Sequence, residues 1–98
     1  RRTIEISVDE DNILQNKIKA VAIQVKHNVY GKDILKEVVI NYDKGDPLQV
    51  NYTYLHEEGK PGYSYRVIWL TLDGKEIGTN WVNREGPFIY AVFEKQKI

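Results

Sequence analysis

The sequence predicts an all-β fold, an antiparallel β-sandwich of about seven strands. Three observations carry that expectation. Apolar and polar residues alternate with period two along most of the chain, and Gly, Asp, Asn or Pro clusters interrupt the alternation roughly every 8–12 residues. Asp73-Gly74 also falls between two alternating runs, where a tight hairpin is expected. Side chains in a strand point to opposite faces in turn, so alternation marks a strand with one face on a core and one in water.

The first strand is Thr3-Ile4-Glu5-Ile6-Ser7-Val8, with Ile4, Ile6 and Val8 on one face. Asn12-Ile13-Leu14-Gln15 follows an acidic cluster and pairs an Asn acceptor with a Gln three residues on, the capping-box pattern that opens a helical turn over 12–17. Residues 18–28 form the second strand, with Val21, Ile23 and Val25 on one face and Ala20 and Ala22 on the other. Asn28-Val29-Tyr30-Gly31-Lys32 is a turn. Asp33-Ile34-Leu35-Lys36-Glu37-Val38-Val39 then places apolar residues at i, i+1, i+4 and i+5 behind an Asp cap, which is helical periodicity. A helix at 12–17 or 33–39 makes the class α+β, the alternative to the all-β reading.

Val38-Val39-Ile40-Asn41-Tyr42 is β-branched and aromatic, and Asp43-Lys44-Gly45-Asp46-Pro47 ends it. Leu48, Val50, Tyr52 and Tyr54 alternate with Gln49, Asn51 and Thr53. The loop 56–62 leads to a strand over 63–72, and Asp73-Gly74 turns it back as a type I′ hairpin, in which both central residues take positive φ. Ile77, Thr79 and Trp81 alternate in the next strand, residues 82–87 turn the chain, and residues 88–93 are the last strand. This strand count in 98 residues matches an immunoglobulin or fibronectin type III domain in size, and in size only, because a chain without Cys cannot carry the Cys…Trp…Cys pattern. Residues 1–98 are expected to form a single domain.

Fourteen basic and 14 acidic residues cancel globally, and the balance holds along the chain: residues 1–31 carry five basic and four acidic groups, and 47–98 carry six of each. That removes the long-range field of a nucleic-acid or anionic-membrane binder. The longest apolar runs, such as Ala20-Val21-Ala22-Ile23, fall far short of the roughly 20 residues of a membrane span, so no membrane insertion is expected. The absence of Cys suits a reducing compartment and equally an exported module stable without bridges. With no Met in the chain, Arg1 is expected to be a cut end of a longer protein, leaning towards an exported one: periplasmic, cell-surface or extracellular.

No catalytic residue, cofactor or resident metal is expected. Ser7 and Ser64 are the only serines, and neither they nor His27 and His56 lie in a nucleophile motif. His56-Glu57-Glu58 lacks the second His of a zinc helix, and adjacent carboxylates cannot span a glycosidic bond. Asp9, Asp11, Asp43 and Asp46 are weak calcium candidates at strand ends, without the spacing of a calcium loop. The glycines are scattered and form no phosphate cradle, and Asn51-Tyr52-Thr53 matches a glycosylation acceptor in mid-strand.

The aromatics remain: seven Tyr, two Trp and two Phe. Tyr52, Tyr54, Tyr63, Tyr65, Trp69, Trp81 and Tyr90 are the candidate ligand- or partner-binding residues. If the strands flanking 56–62 pair as a hairpin, the four tyrosines 52, 54, 63 and 65 form a cross-strand cluster. Such a cluster is either ordinary core or a flat patch that stacks on sugar rings or docks a protein. Val67-Ile68-Trp69-Leu70 and Phe88-Ile89-Tyr90-Ala91-Val92-Phe93 do not alternate, so both faces of these strands are apolar and call for cover. The expected function is a non-catalytic structural or interaction module that docks a protein partner, a neighbouring domain or a second copy of itself as a homodimer. The alternative is a carbohydrate-binding module with a Trp/Tyr platform for a glycan.

Overall fold

The computed structural model describes residues 2–55 and 62–94. Its strands are β1 (Arg2–Val8), β2 (Ile18–Val29), β3 (Lys32–Asn41), β4 (Gln49–Tyr54), β5 (Tyr63–Thr71), β6 (Glu76–Gly78), β7 (Val82–Arg84) and β8 (Phe88–Ala91), with one short helix, α1 (Glu10–Gln15), and a 3₁₀ turn at Tyr42–Lys44. The strands form two packed sheets, and the fold is an all-β sandwich. One sheet has the order β4-β1-β8, and the other β3-β2-β5-β6, with β7 also paired to β5. β1 pairs antiparallel with β4 but parallel with β8. An immunoglobulin sandwich keeps its first and second strands in one sheet. Here β1 and β2 lie in different sheets.

The alternation of β1 and β2 builds the core as expected, and the unalternating β5 and β8 each add one of their two apolar faces to it. Ile4, Ile6 and Val8 of β1, Val21, Ile23 and Val25 of β2, and Val67 and Trp69 of β5 are all buried between the sheets, with Ile89 and Ala91 of β8. Each such aliphatic side chain contributes about 1.5–3 kcal/mol on burial, and β-branched residues suit the pleat. On the outward face of the larger sheet, Ile68 and Leu70 sit beside Ala20 and Ala22, and Val39 completes the row at 44% exposure.

Several expectations change. Residues 33–39 are strand, not helix: β3 pairs with β2 throughout, in the register Val21↔Ile40 to Val29↔Lys32. At the other position α1 is one and a half turns long, capped by the Asp9 carboxylate accepting from Asn12 N at 3.1 Å, so the cap is Asp9 and not Asn12. Tyr30 and Gly31, at φ 50° and 81°, join β2 to β3 as a two-residue turn with both φ positive, the type I′ signature. At the Asp73-Gly74 hairpin only Gly74 has positive φ, and its N–H bonds Thr71 O, so Leu72 and Asp73 are the turn centre and Gly74 the bulge. The expected strand through Ile77, Thr79 and Trp81 ends at Gly78, because Thr79 crosses the edge of β5 and holds Val67 through both its backbone N and its Oγ1, and residues 82–84, expected to turn the chain, form β7 instead.

α1 ties the two ends of the fold together. Asn12 Nδ2 donates to Phe93 O at 3.0 Å, and Asn12 Oδ1 accepts from Phe93 N at 2.8 Å. The side chain thus closes the segment after β8 onto α1 as a strand partner would.

Candidate functional site

The four tyrosines do meet, though not across a hairpin. β4 and β5 belong to opposite sheets, so the rings face each other through the core. Tyr52 stacks on Tyr54 at 5.9 Å, Tyr54 meets Tyr63 edge-on at 6.1 Å, and Tyr63 lies 6.4 Å from Tyr65. Tyr54 and Tyr63 are each 5% exposed, and the Tyr63 hydroxyl donates to Gly86 O at 2.6 Å. Burial pushes the phenols of Tyr52, Tyr54 and Tyr63 above their ordinary value.

His27 extends this cluster from β2, with its ring 4.7 Å from that of Tyr54 and its Nε2 3.4 Å from the Tyr52 hydroxyl. Its Nδ1 is buried without a hydrogen-bond partner. An orphaned acceptor is better tolerated here than an orphaned N–H, so the favoured tautomer carries its proton on Nε2. Burial lowers the imidazole pKa, which keeps the ring neutral. Ser64 faces the opposite side of the sheet, where its hydroxyl donates to Asn83 Oδ1, and Ser7 lies in the other sheet. Neither serine is placed for attack with His27 as base.

Trp69 is 2% exposed and packs edge-on against Phe93 at 5.5 Å, so it is core. Trp81, at 37% exposure, lies on the outer face of the larger sheet with Lys26 Nζ 4.5 Å and the Arg66 guanidinium 5.0 Å from its ring centre. Its π system is engaged by these two cations. Tyr90 is 60% exposed on β8. The seven candidates therefore divide between the interior and two separate surfaces.

The calcium candidates take structural parts. Asp9 caps α1, Asp46 Oδ2 accepts from Asn41 N at 2.8 Å, Asp11 sits in the first turn of α1, and Asp43 in the 3₁₀ turn. No group of three or more His, Cys, Asp or Glu is placed to hold a metal ion among the described residues. His56, Glu57 and Glu58 lie outside the described residues. A cavity of about 630 Å³ at the end of the larger sheet is lined by His27, Tyr63 and Arg84 among others, and four of its polar groups are paired with one another, Asn28 with Asp33 and Ser64 with Asn83.

The unsatisfied surface is a flank. The smaller sheet ends at β8, which packs over β5, as the Trp69–Phe93 contact and the hollow shared by Ala91, Val67 and Tyr65 indicate. The larger sheet continues one strand further with β6 and β7. Ile77 pairs with Trp69 and Val82 with Tyr65, so both side chains point to the inner face, yet they are 40% and 45% exposed. No described strand lies over them. Two hollows open along this flank: about 420 Å³ beside Trp69, Ile77, Thr79, Val92 and Glu94, and about 150 Å³ beside Tyr65, Val67, Val82 and Tyr90. Tyr90 and Val92, which line these hollows, form its apolar rim, at 60% and 43% exposure.

Of the flank residues, sequence reasoning singled out Tyr65, Trp69 and Tyr90. It missed Ile77 and Val82, whose exposure depends on how wide each sheet is. The unalternating run 88–93 was the one available signal. Comparison with family models, with curated proteins and with solved structures finds no match in any of the three.

Proposed function

We propose that this chain is a non-catalytic interaction module that docks a protein partner along the open flank between β8 and β6–β7. The observation that carries the reading is that Ile77 and Val82 point inward from the larger sheet and stay half exposed, with no described strand over them. Inward-facing apolar side chains of a sandwich are normally packed under a second sheet, and contiguous apolar surface left open marks interaction sites. The Trp/Tyr platform for a glycan has less support, since Tyr54, Tyr63 and Trp69 are buried and Trp81 is taken up by Lys26 and Arg66.

Selection of a random peptide library on the immobilised chain tests this, followed by titration of the enriched peptides against wild type and Val82→Lys. Val82 is half exposed, so the charge is tolerated by the fold. Docking at the flank predicts binding that weakens by about tenfold or more in the variant. Peptides that bind both proteins equally refute the flank as the site. Saturable quenching of tryptophan fluorescence by one soluble polysaccharide, lost in Trp81→Ala, would install the glycan reading in its place.

A further inference from the structure

We propose that the occupant of this flank is an extended polypeptide segment that adds as a new strand to the free edge of β8; the proposal rests on the docking reading above and names its ligand. The backbone of β8 is set up for it. Glu5 N donates to Pro87 O at 2.8 Å, with Glu5 paired to Phe88 and Ser7 to Tyr90. In a parallel ladder of that register β1 bonds residues 87, 89 and 91, so the N–H and C=O groups of Phe88 and Tyr90 point away from β1, over β6 and β7. No described strand pairs with them. Such a row of unpaired groups is a template for one more strand.

The overhang supplies the floor. A strand beside β8, at about 4.8 Å, lies one layer, about 10 Å, above β6–β7. Its inward side chains meet Ile77, Thr79 and Val82. The pairs Trp69/Ile77 and Tyr65/Val82 are four residues apart along β5, about 13 Å, so residues i and i+4 of the added strand reach the larger and smaller hollows and i+2 falls between them.

The same overhang decides what can enter. Pairing β8 with β8 of a second copy brings the two β5 strands to within about one strand step, yet two overhanging strands, one from each copy, must fit between them, which needs about three steps. A folded sandwich edge is therefore excluded, and a segment with no second layer of its own is admitted. Charge sets its ends. Glu94 lines the larger hollow, while Arg84, whose Nη1 donates to the Tyr65 hydroxyl, stands with Arg2 at the opposite end, where Arg2 Nη2 bonds Glu85 O. Running antiparallel to β8, the better-paired direction, the segment carries a basic residue before its alternating apolar run and an acidic residue after it.

The probe is the blocked peptide Lys-Val-Thr-Val-Thr-Val-Glu, with its reversed sequence as control, titrated into the ¹⁵N-labelled chain. Strand addition predicts shifts confined to residues 77–82 and 88–92, slowed exchange of the Phe88 and Tyr90 amides, and tighter binding of the forward peptide. In Tyr90→Pro the edge-facing N–H is gone while the bonds to β1 stay, because proline is tolerated on an edge with that side in solvent; affinity falls about tenfold or more. The wild-type amide exchange needs no variant to fold. Binding without slowed exchange at Tyr90, or equal binding of the reversed peptide, overturns the proposal. Library-selected peptides that need Val82 but ignore Tyr90→Pro overturn strand addition and leave docking intact. Slowed exchange at Tyr90 that rises with protein concentration and no peptide assigns the edge to a second copy, and refutes the proposal as well.

Discussion

Tyr30 sits at a position built for a different residue, and replacing it should stabilise the fold. It is the first of the two turn residues between β2 and β3, at φ 50°, with Gly31 following at φ 81°. The left-handed region brings Cβ close to the following carbonyl and costs an ordinary L-residue about 1–2 kcal/mol, a cost that Gly avoids and Asn largely offsets by local hydrogen bonding. Tyr30 is 80% exposed, so no burial compensates. Asn28 Oδ1 already accepts from Gly31 N, and Asn28 Nδ2 donates to Asp33, so the neighbouring polar contacts survive the change. Tyr30→Asn is therefore expected to gain about 1 kcal/mol, a rise in Tm of about 4–8 °C for a domain of this size. Urea denaturation followed by far-ultraviolet circular dichroism measures it, with the midpoint rising and the slope unchanged. Tyr30→Ala keeps the Cβ and should gain nothing. If Tyr30→Asn is no more stable than wild type, or if Tyr30→Ala gains as much, the backbone is not the source of the strain and the reasoning fails.

Three further outcomes follow from the core and its ties. Trp69→Ala should lose about 3–5 kcal/mol by opening a cavity against Phe93, whereas Trp81→Ala, on the surface, should stay within about 1 kcal/mol of wild type; both are read by circular dichroism melts. Asn12→Ala strands both backbone groups of Phe93 and should cost about 1–3 kcal/mol, with Asn12→Asp losing less because it keeps the acceptor for Phe93 N; amide exchange at Phe93 reports the opening. His27 has its pKa lowered by burial from the ordinary 6.5, so as pH falls below that value the unfolded chain takes up the proton first and stability declines, while above it the stability is complete. His27→Phe should flatten that part of the urea midpoint's dependence between about pH 7 and about pH 5, with every other titrating group common to both proteins.

Alternation disclosed which side chains share a face, and for β1 and β2 that was enough to name the core, whereas in β4 and β5 it left the tyrosines and Trp69 between core and exposed platform. It could not disclose partners. Tyr52 and Tyr54 have the same parity whether β4 pairs with β5 or faces it across the sandwich, so the cluster was legible and the hairpin was not. β3 looked helical because it carries apolar residues on both sides: Ile34 and Val38 turn inward while Leu35 and Val39 stay exposed on the outer face, and adjacent apolar pairs four residues apart produce the i, i+1, i+4, i+5 spacing. The flank depends on the mismatch in sheet width, which arises from pairings between residues far apart in sequence, so no local pattern announces Ile77 or Val82 as exposed.

The parallel pairing of the first and last strands also fixes how the domain bears load. β1 enters at Arg2 and β8 leaves at Ala91, beside Val8, at the opposite end of the pair. Tension applied through the two ends therefore draws the strands past each other lengthwise, and the pairs Glu5↔Phe88 to Val8↔Ala91 resist together in shear instead of peeling one by one. The Asn12 clasp on Phe93 lies between that ladder and the pulled end, so it yields first.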